Sequence, residues 1–217
     1  MTLLDVTLDE LERDALTELV NIGVSRAAAS LRKMVGKQVL LSVPSVEVVT
    51  KAAAATLIGQ RESDDLVAIR QGFGGAFSGR ALLIFPEVNS LELVRAIVGD
   101  EIDAEEVASL KNEALAETGN VILNGCLGTI ANMLNQTLQM SLPEVLYGDG
   151  NALFEVVPAL DNDSLVLFLY INFSVRDRNI RGYIAMIMDL PSLGMLKAQL
   201  AEFITRVTDD SNWAVGA

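Results

Sequence analysis

Residues 14–31, DALTELVNIGVSRAAASL, decide how this chain is read, because residues 113–130, EALAETGNVILNGCLGTI, repeat their pattern. Asp14, Glu18 and Asn21 correspond to Glu113, Glu117 and Asn120. Further on, Pro44 corresponds to Pro143, and every pair is displaced by the same 99 residues. Ala15 and Ala114, Leu16 and Leu115, Met34 and Met133, Ser42 and Ser141, and Val46 and Val145 also match at that displacement. A shared core accounts for matched apolar positions. It does not require a matched carboxylate and amide, so the repeated polar residues are the lead to function.

Both segments carry helical periodicity. Leu16, Leu19, Val20, Gly23, Ala27, Leu31 and Met34 recur at helical spacing in a predicted helix over 8–35, and Leu115, Ile122, Cys126, Ile130 and Met133 do so over 104–135. Thr7 is expected to cap the first helix, with Glu10 completing a capping box, and Gly36 to end it. On a wheel of about 100° per residue, Glu18 falls about 40° from Asp14 and Asn21 about 20° to its other side, with the apolar set near 200°. The polar triplets are therefore expected to be accessible rather than structural. Asparagine is not favoured in a helix interior, and its presence in both copies points to function.

Each long helix leads into an extended stretch holding the repeated proline, QVLLSVPSVEVV (38–49) and LQMSLPEVLYG (138–148). Proline cannot donate to a ladder, which places Pro44 and Pro143 at a sheet edge or bulge as structural members of the motif. Further strands are expected over 66–71, 76–85, 152–158, 164–173 and 180–188, with shorter helices over 88–98 and 190–207. GRALLIFPEVNSL resembles GYIAMIMDLPSL, which sets Gly79 opposite Gly182. The expected fold is α+β: internally duplicated and pseudo-twofold, with a continuous, mainly antiparallel sheet packed by two long helices and shorter ones. Residues 1–207 form a single domain of two halves, about 8–98 and 104–207, followed by a flexible tail over 208–217.

Composition restricts the chemistry. The net charge of −13 opposes phosphate backbones and anionic membrane surfaces, so neither nucleic acid nor a membrane is an expected partner. No apolar run approaches the eighteen or so residues of a membrane span, and the acidic start MTLLDVTLDE is unlike a secretory signal, which gives a cytoplasmic expectation. One cysteine rules out an internal disulfide. The chain has no histidine, which excludes Ser-His-Asp and Cys-His hydrolases, two-histidine zinc motifs and a phosphohistidine intermediate on it. No metal site is expected.

Other features have structural readings. GFGGAFSGR lacks a P-loop ending and leads from strand to strand, so it is read as a flexible hairpin connection. Cys126 lies on the core face as a packed thiol. The run Asp161 to Ser164 is read as a turn and Trp213 as part of the tail. Gly23 and Gly119 fall toward the buried side, where close backbone packing is expected.

An acidic residue, three residues, Glu, two residues, Asn, then twenty-two residues and Pro resembles the motif of the CheC/CheX/FliY phosphatases of bacterial chemotaxis. It occurs as Asp14, Glu18, Asn21, Pro44 and as Glu113, Glu117, Asn120, Pro143. Glu113 departs from the Asp or Ser more usual there. The resemblance implies hydrolysis of the aspartyl phosphate of the response regulator CheY at two pseudosymmetric sites. It gives Asn21 and Asn120 the task of orienting water, Glu18 and Glu117 that of pairing with a regulator lysine, and Asp14 and Glu113 a place at the contact rim. It also implies no cofactor of the chain's own, with Mg²⁺ on the phosphorylated partner. The alternative it carries is non-enzymatic, an adaptor binding the receptor deamidase CheD or a module like the flagellar switch protein FliM.

Overall fold

The computed structural model describes residues 7–36, 38–43, 45–62, 65–98, 103–155, 165–175 and 178–214. The first half runs α1 (Glu10–Val35), β1 (Val39–Ser42), β2 (Val46–Thr50), α2 (Lys51–Arg61), β3 (Leu66–Gly75), β4 (Gly79–Pro86) and α3 (Glu87–Val98). The second runs α4 (Ala104–Met133), β5 (Leu138–Met140), β6 (Glu144–Gly148), α5 (Gly150–Glu155), β7 (Leu165–Val175), β8 (Arg178–Met188) and α6 (Leu190–Ala214). The order of elements is the same in both.

The strands form one antiparallel sheet in the order β1-β7-β8-β4-β3-β5, with β2 also on β7 and β6 also on β3. Exchanging the two halves turns this order into its own reverse. The halves join at β4 and β8, from Arg80 opposite Ile187 to Ile84 opposite Tyr183, so the sheet is continuous. Each half lends its short strands to the other: β1 and β2 lie on β7, and β5 and β6 on β3.

Both sheet faces are buried. Val67, Ile69, Leu83, Phe85, Leu167, Leu169, Ile184 and Met186 pack with α1, α3, α4 and α6. The alternate residues Leu66, Ala68, Leu82, Ile84, Val166, Phe168, Ala185 and Ile187 pack with α2 and α5. Strands covered on two sides need apolar residues at every position, which is why Leu165 to Ile171 is an unbroken apolar run.

Helix ends follow local chemistry, with corrections. The cap of α1 is Asp9 rather than Thr7: its Oδ1 accepts from the Glu12 N–H at 2.8 Å, while the Glu12 carboxylate accepts from the Asp9 N–H at 2.9 Å. A carboxylate at this position also meets the positive end of the helix dipole. Gly36 ends α1 at φ 66°, and Asn135, its counterpart at the displacement of the repeat, takes φ 55° after α4. Asparagine is among the few side chains that enter this region readily.

Residues 152–158, expected as a strand, begin as α5, while 156–158 lie outside the described residues. Asp149 caps this short helix through the Ala152 N–H, and Leu153 and Phe154 are buried with the α2 residues Ala54, Ala55 and Ile58. Helix α2 itself was not expected. Helix α6 continues to Ala214, so helical backbone enters the stretch read as a flexible tail. The hairpin between β3 and β4 is present, but most of the stretch read as a flexible connection is strand: Gly72 to Gly75 belong to β3 and Gly79 to β4, and only residues 76–78 join them. The turn expected over 161–164 and Pro44 lie outside the described residues, whereas Pro143 separates β5 from β6 along their shared neighbour β3.

The two long helices meet almost backbone to backbone. A Cβ on Gly23 would lie 2.8 Å from Cys126 Cα and 3.0 Å from the Gly125 carbonyl oxygen, and one on Gly125 would lie 2.9 Å from Ala27 Cβ. Gly119 is closed by the sheet, since its Cβ would sit 2.4 Å from Ile69 Cγ2. Gly23→Ala is expected to destabilise the protein by about 1–3 kcal/mol, because backbone cannot yield as a side chain does. Gly128 faces open space in α4, so Gly128→Ala should stabilise by up to about 1 kcal/mol. Denaturant midpoints of the two variants check this contrast.

Candidate functional site

The close crossing fixes which sides of α1 and α4 look outward. Asp14 and Glu18 on α1, and Glu113 and Glu117 on α4, are exposed. None of these four carboxylates has a hydrogen-bond or ion-pair partner among the described residues. On each helix the asparagine is three residues beyond its glutamate, close to one turn along the same surface.

The asparagines are half-buried and hydrogen-bonded within the fold, which corrects the expectation that the triplets are accessible rather than structural. Asn21 holds the backbone of the loop after β1: its Nδ2 donates to the Val43 carbonyl at 3.0 Å, and its Oδ1 accepts from the Val43 N–H at 2.9 Å. This paired contact leaves no ambiguity about which end of the amide is oxygen. It satisfies two backbone groups that the sheet does not, and it leaves one N–H and one lone pair of the amide uncommitted.

The second site is wired differently. Asn120 Oδ1 accepts from Gln71 Nε2 at 2.9 Å and from Asn124 Nδ2 at 2.7 Å. Gln71 Nε2 also donates to the Ser141 carbonyl at 3.0 Å. Ser141 is stitched to β3 through the Gly72 N–H, which donates to its Oγ, and the Gly72 carbonyl, which accepts from its N–H, both at 2.8 Å. Leu142, the counterpart of Val43, is 85% exposed, whereas Val43 is 2% exposed. Asn120 therefore makes no clamp like that of Asn21.

Sequence reasoning passed over Gln71, Asn124 and the Val43 backbone. One signal was available, since Gln71 is an amide inside the apolar strand β3 and is 1% exposed. The Val43 contact had none, because its partner is a main-chain group 22 residues away.

The glycine-rich hairpin, with Arg80 and Met140, lines a shallow groove, and another lies between the end of α1 and β1. A third is lined by Arg61, Arg181, Tyr170 and Tyr183, where Arg61 stacks 4.1 Å from the Tyr170 ring centre and Tyr183 donates to Glu62. None of the three is lined by the repeated glutamates or asparagines. Among the described residues no cluster of three His, Cys, Asp or Glu side chains could hold a metal, and no helix is long and apolar enough to cross a membrane.

Cys126 is fully buried at the helix crossing, and burial pushes its thiol up to about 12.

A model of the CheC-like family matches residues 11–48, which hold the first motif. The CheY-P phosphatase CheC of Bacillus subtilis (strain 168) is 23% identical over 141 residues, covering 64% of this chain and 67% of that protein. The flagellar motor switch phosphatase FliY of the same organism is 23% identical over 140 residues, which is 64% of this chain but 36% of that relative's length. Among solved structures, Thermotoga maritima FliY superposes with a TM-score of 0.71 at 16% identity, covering 90% of this chain and 98% of that one. The FliM middle domain from H. pylori superposes with a TM-score of 0.58 at 9% identity, over 88% of this chain and 99% of that one. The resemblance to the CheC/CheX/FliY family read from the motif is thus borne out, and the fold is shared with FliM as well.

Two expectations follow from the site geometry. Asn21→Ala should cost about 1–3 kcal/mol by leaving the Val43 N–H and carbonyl unpaired, while Glu18→Ala should stay within about 0.5 kcal/mol; chemical denaturation of each variant measures this. Cys126 should resist thiol reagents at pH 8 in the folded protein and react once denaturant is added. Its folded pKa lies above the ordinary thiol value, so its contribution to stability is intact below pH 9 and is lost as the pH rises toward 12. A pH series of denaturation midpoints shows that decline.

Proposed function

We propose that this relative of the CheC, CheX and FliY proteins is a phosphatase for the aspartyl phosphate of a CheY-type response regulator, working from the outward faces of α1 and α4. One observation carries the reading: an exposed, unpartnered Glu18 stands one turn from an amide that the Val43 backbone holds in a single orientation. A preset amide loses little freedom when it receives a water, and positioning is most of what such a hydrolysis needs.

The regulator supplies the phosphoryl group and its Mg²⁺; this chain supplies contact and orientation. Glu18 or Glu117 pairs with a lysine beside the phosphate, and Asp14 or Glu113 flanks that contact. The neighbouring asparagine holds a water in line with the acyl phosphate. The water oxygen bonds to phosphorus as the bond from phosphorus to the aspartyl oxygen breaks. The carboxylate leaves as an anion, and both water protons end on the released phosphate. No group on this chain is covalently modified, which suits a chain without histidine.

A second reading has its own support. The amide of Asn21 already serves the fold, and FliM shares the architecture, so the same face could act as a docking surface for CheD or another partner without hydrolysis. The decay of phosphorylated CheY separates the two. Wild type is expected to accelerate it, and Asn21→Ala combined with Asn120→Ala to abolish the acceleration while still folding. Glu18→Ala with Glu117→Ala should mainly raise KM, and more salt should do the same. Binding of phosphorylated CheY with no acceleration by wild type would favour the docking module.

A further inference from the structure

Resting on that reading, we infer that the two sites are unequal and that Gln71 makes them so: it is a positioning residue that occupies the acceptor of Asn120, leaving Asn21 as the stronger water-orienting amide. A water poised to attack must turn a lone pair toward phosphorus, so it is best held through its hydrogens, and these require acceptors. After the Val43 N–H, Asn21 Oδ1 retains one lone pair. Asn120 Oδ1 already accepts from both Gln71 and Asn124 and retains none, so it has only N–H groups to offer.

The direction of this chain of amides is set at its far end. The Ser141 carbonyl can only accept, so the Gln71 atom facing it is Nε2. The Asn120 atom shared with that Nε2 is then an acceptor, and the Asn124 atom beyond it a donor. Gln71 Oε1 and Asn124 Oδ1 are buried and have no partner among the described residues, so both amides engage this network only through their nitrogens.

Among the described residues the first site has no equivalent. Val145 pairs with Ile69 as Val46 pairs with Leu169, and Met140 pairs with Phe73 as Leu41 pairs with Phe173. That register makes Ile171 the counterpart of Gln71, and the repeat makes Ser25 the counterpart of Asn124. An isoleucine at the first position cannot donate to Asn21.

Decay of phosphorylated CheY, followed as kcat and KM, tests the inference with the whole chain. Asn21→Ala should slow turnover on the order of tenfold more than Asn120→Ala. In the Asn21→Ala background, Gln71→Ile and, separately, Asn124→Ser should each raise kcat severalfold at nearly constant KM. A gain of rate cannot arise from lost stability. Asn124→Ser removes an unpartnered buried acceptor and should fold even where Gln71→Ile does not. Equal losses from the two asparagine variants, or no gain from a folded release variant, would overturn the inequality while leaving the phosphatase reading intact. No acceleration by wild type would overturn both.

Discussion

One continuous sheet with two buried faces is the constraint on which the rest of this structure depends. The β4–β8 pairing fuses the halves, and the doubled width must then be covered above and below. Four helices share one face, so α1 and α4 are pressed together at Gly23, Gly125 and Cys126. Contact that close admits no rotation of either helix, and it holds the stripes bearing Glu18 and Glu117 toward solvent. The outward polar faces are thus a consequence of core packing as much as of helix periodicity.

The asparagines join this core to the surface. Asn21 ties α1 to the strand that its half lends to the other, and Asn120 reaches β3 through Gln71. A residue that braces the fold can also serve chemistry when its remaining donor and acceptor are free, and bracing improves its aim. The two copies have diverged in this respect, through the Gln71 and Ile171 positions on β3 and β7, the strands that receive the lent ones, and through Leu142, which is exposed where Val43 is buried.

Much of the architecture was legible because its signals are periodic. The spacing from Leu16 to Leu31 marked α1, and the apolar runs Leu165 to Ile171 and Tyr183 to Met188 marked β7 and β8. Helix α2 escaped because KAAAATLIGQR buries only Ala54, Ala55 and Ile58, a stripe too narrow and too rich in alanine to stand out. Helix α5 is six residues long, and its apolar pair fits either a strand or a helix until α2 is in place. The start of α1 offers several acidic residues in TLDELERD, and only geometry selects Asp9. The glutamates could be placed from the wheel, whereas the bonds of the asparagines join residues 22 and 49 positions apart and depend on the tertiary fold.

The proposed engagement of the α1 face with a phosphorylated regulator is tested most directly by the side-chain amide resonances of Asn21 and Asn120 in isotope-labelled protein. A CheY-type regulator carrying a stable phosphoryl mimic should shift Asn21 and the backbone signals around Glu18, and the unphosphorylated regulator should shift them far less. Perturbations confined to the opposite face, around α2 and α5, or equal shifts with both forms of the regulator, would contradict the account.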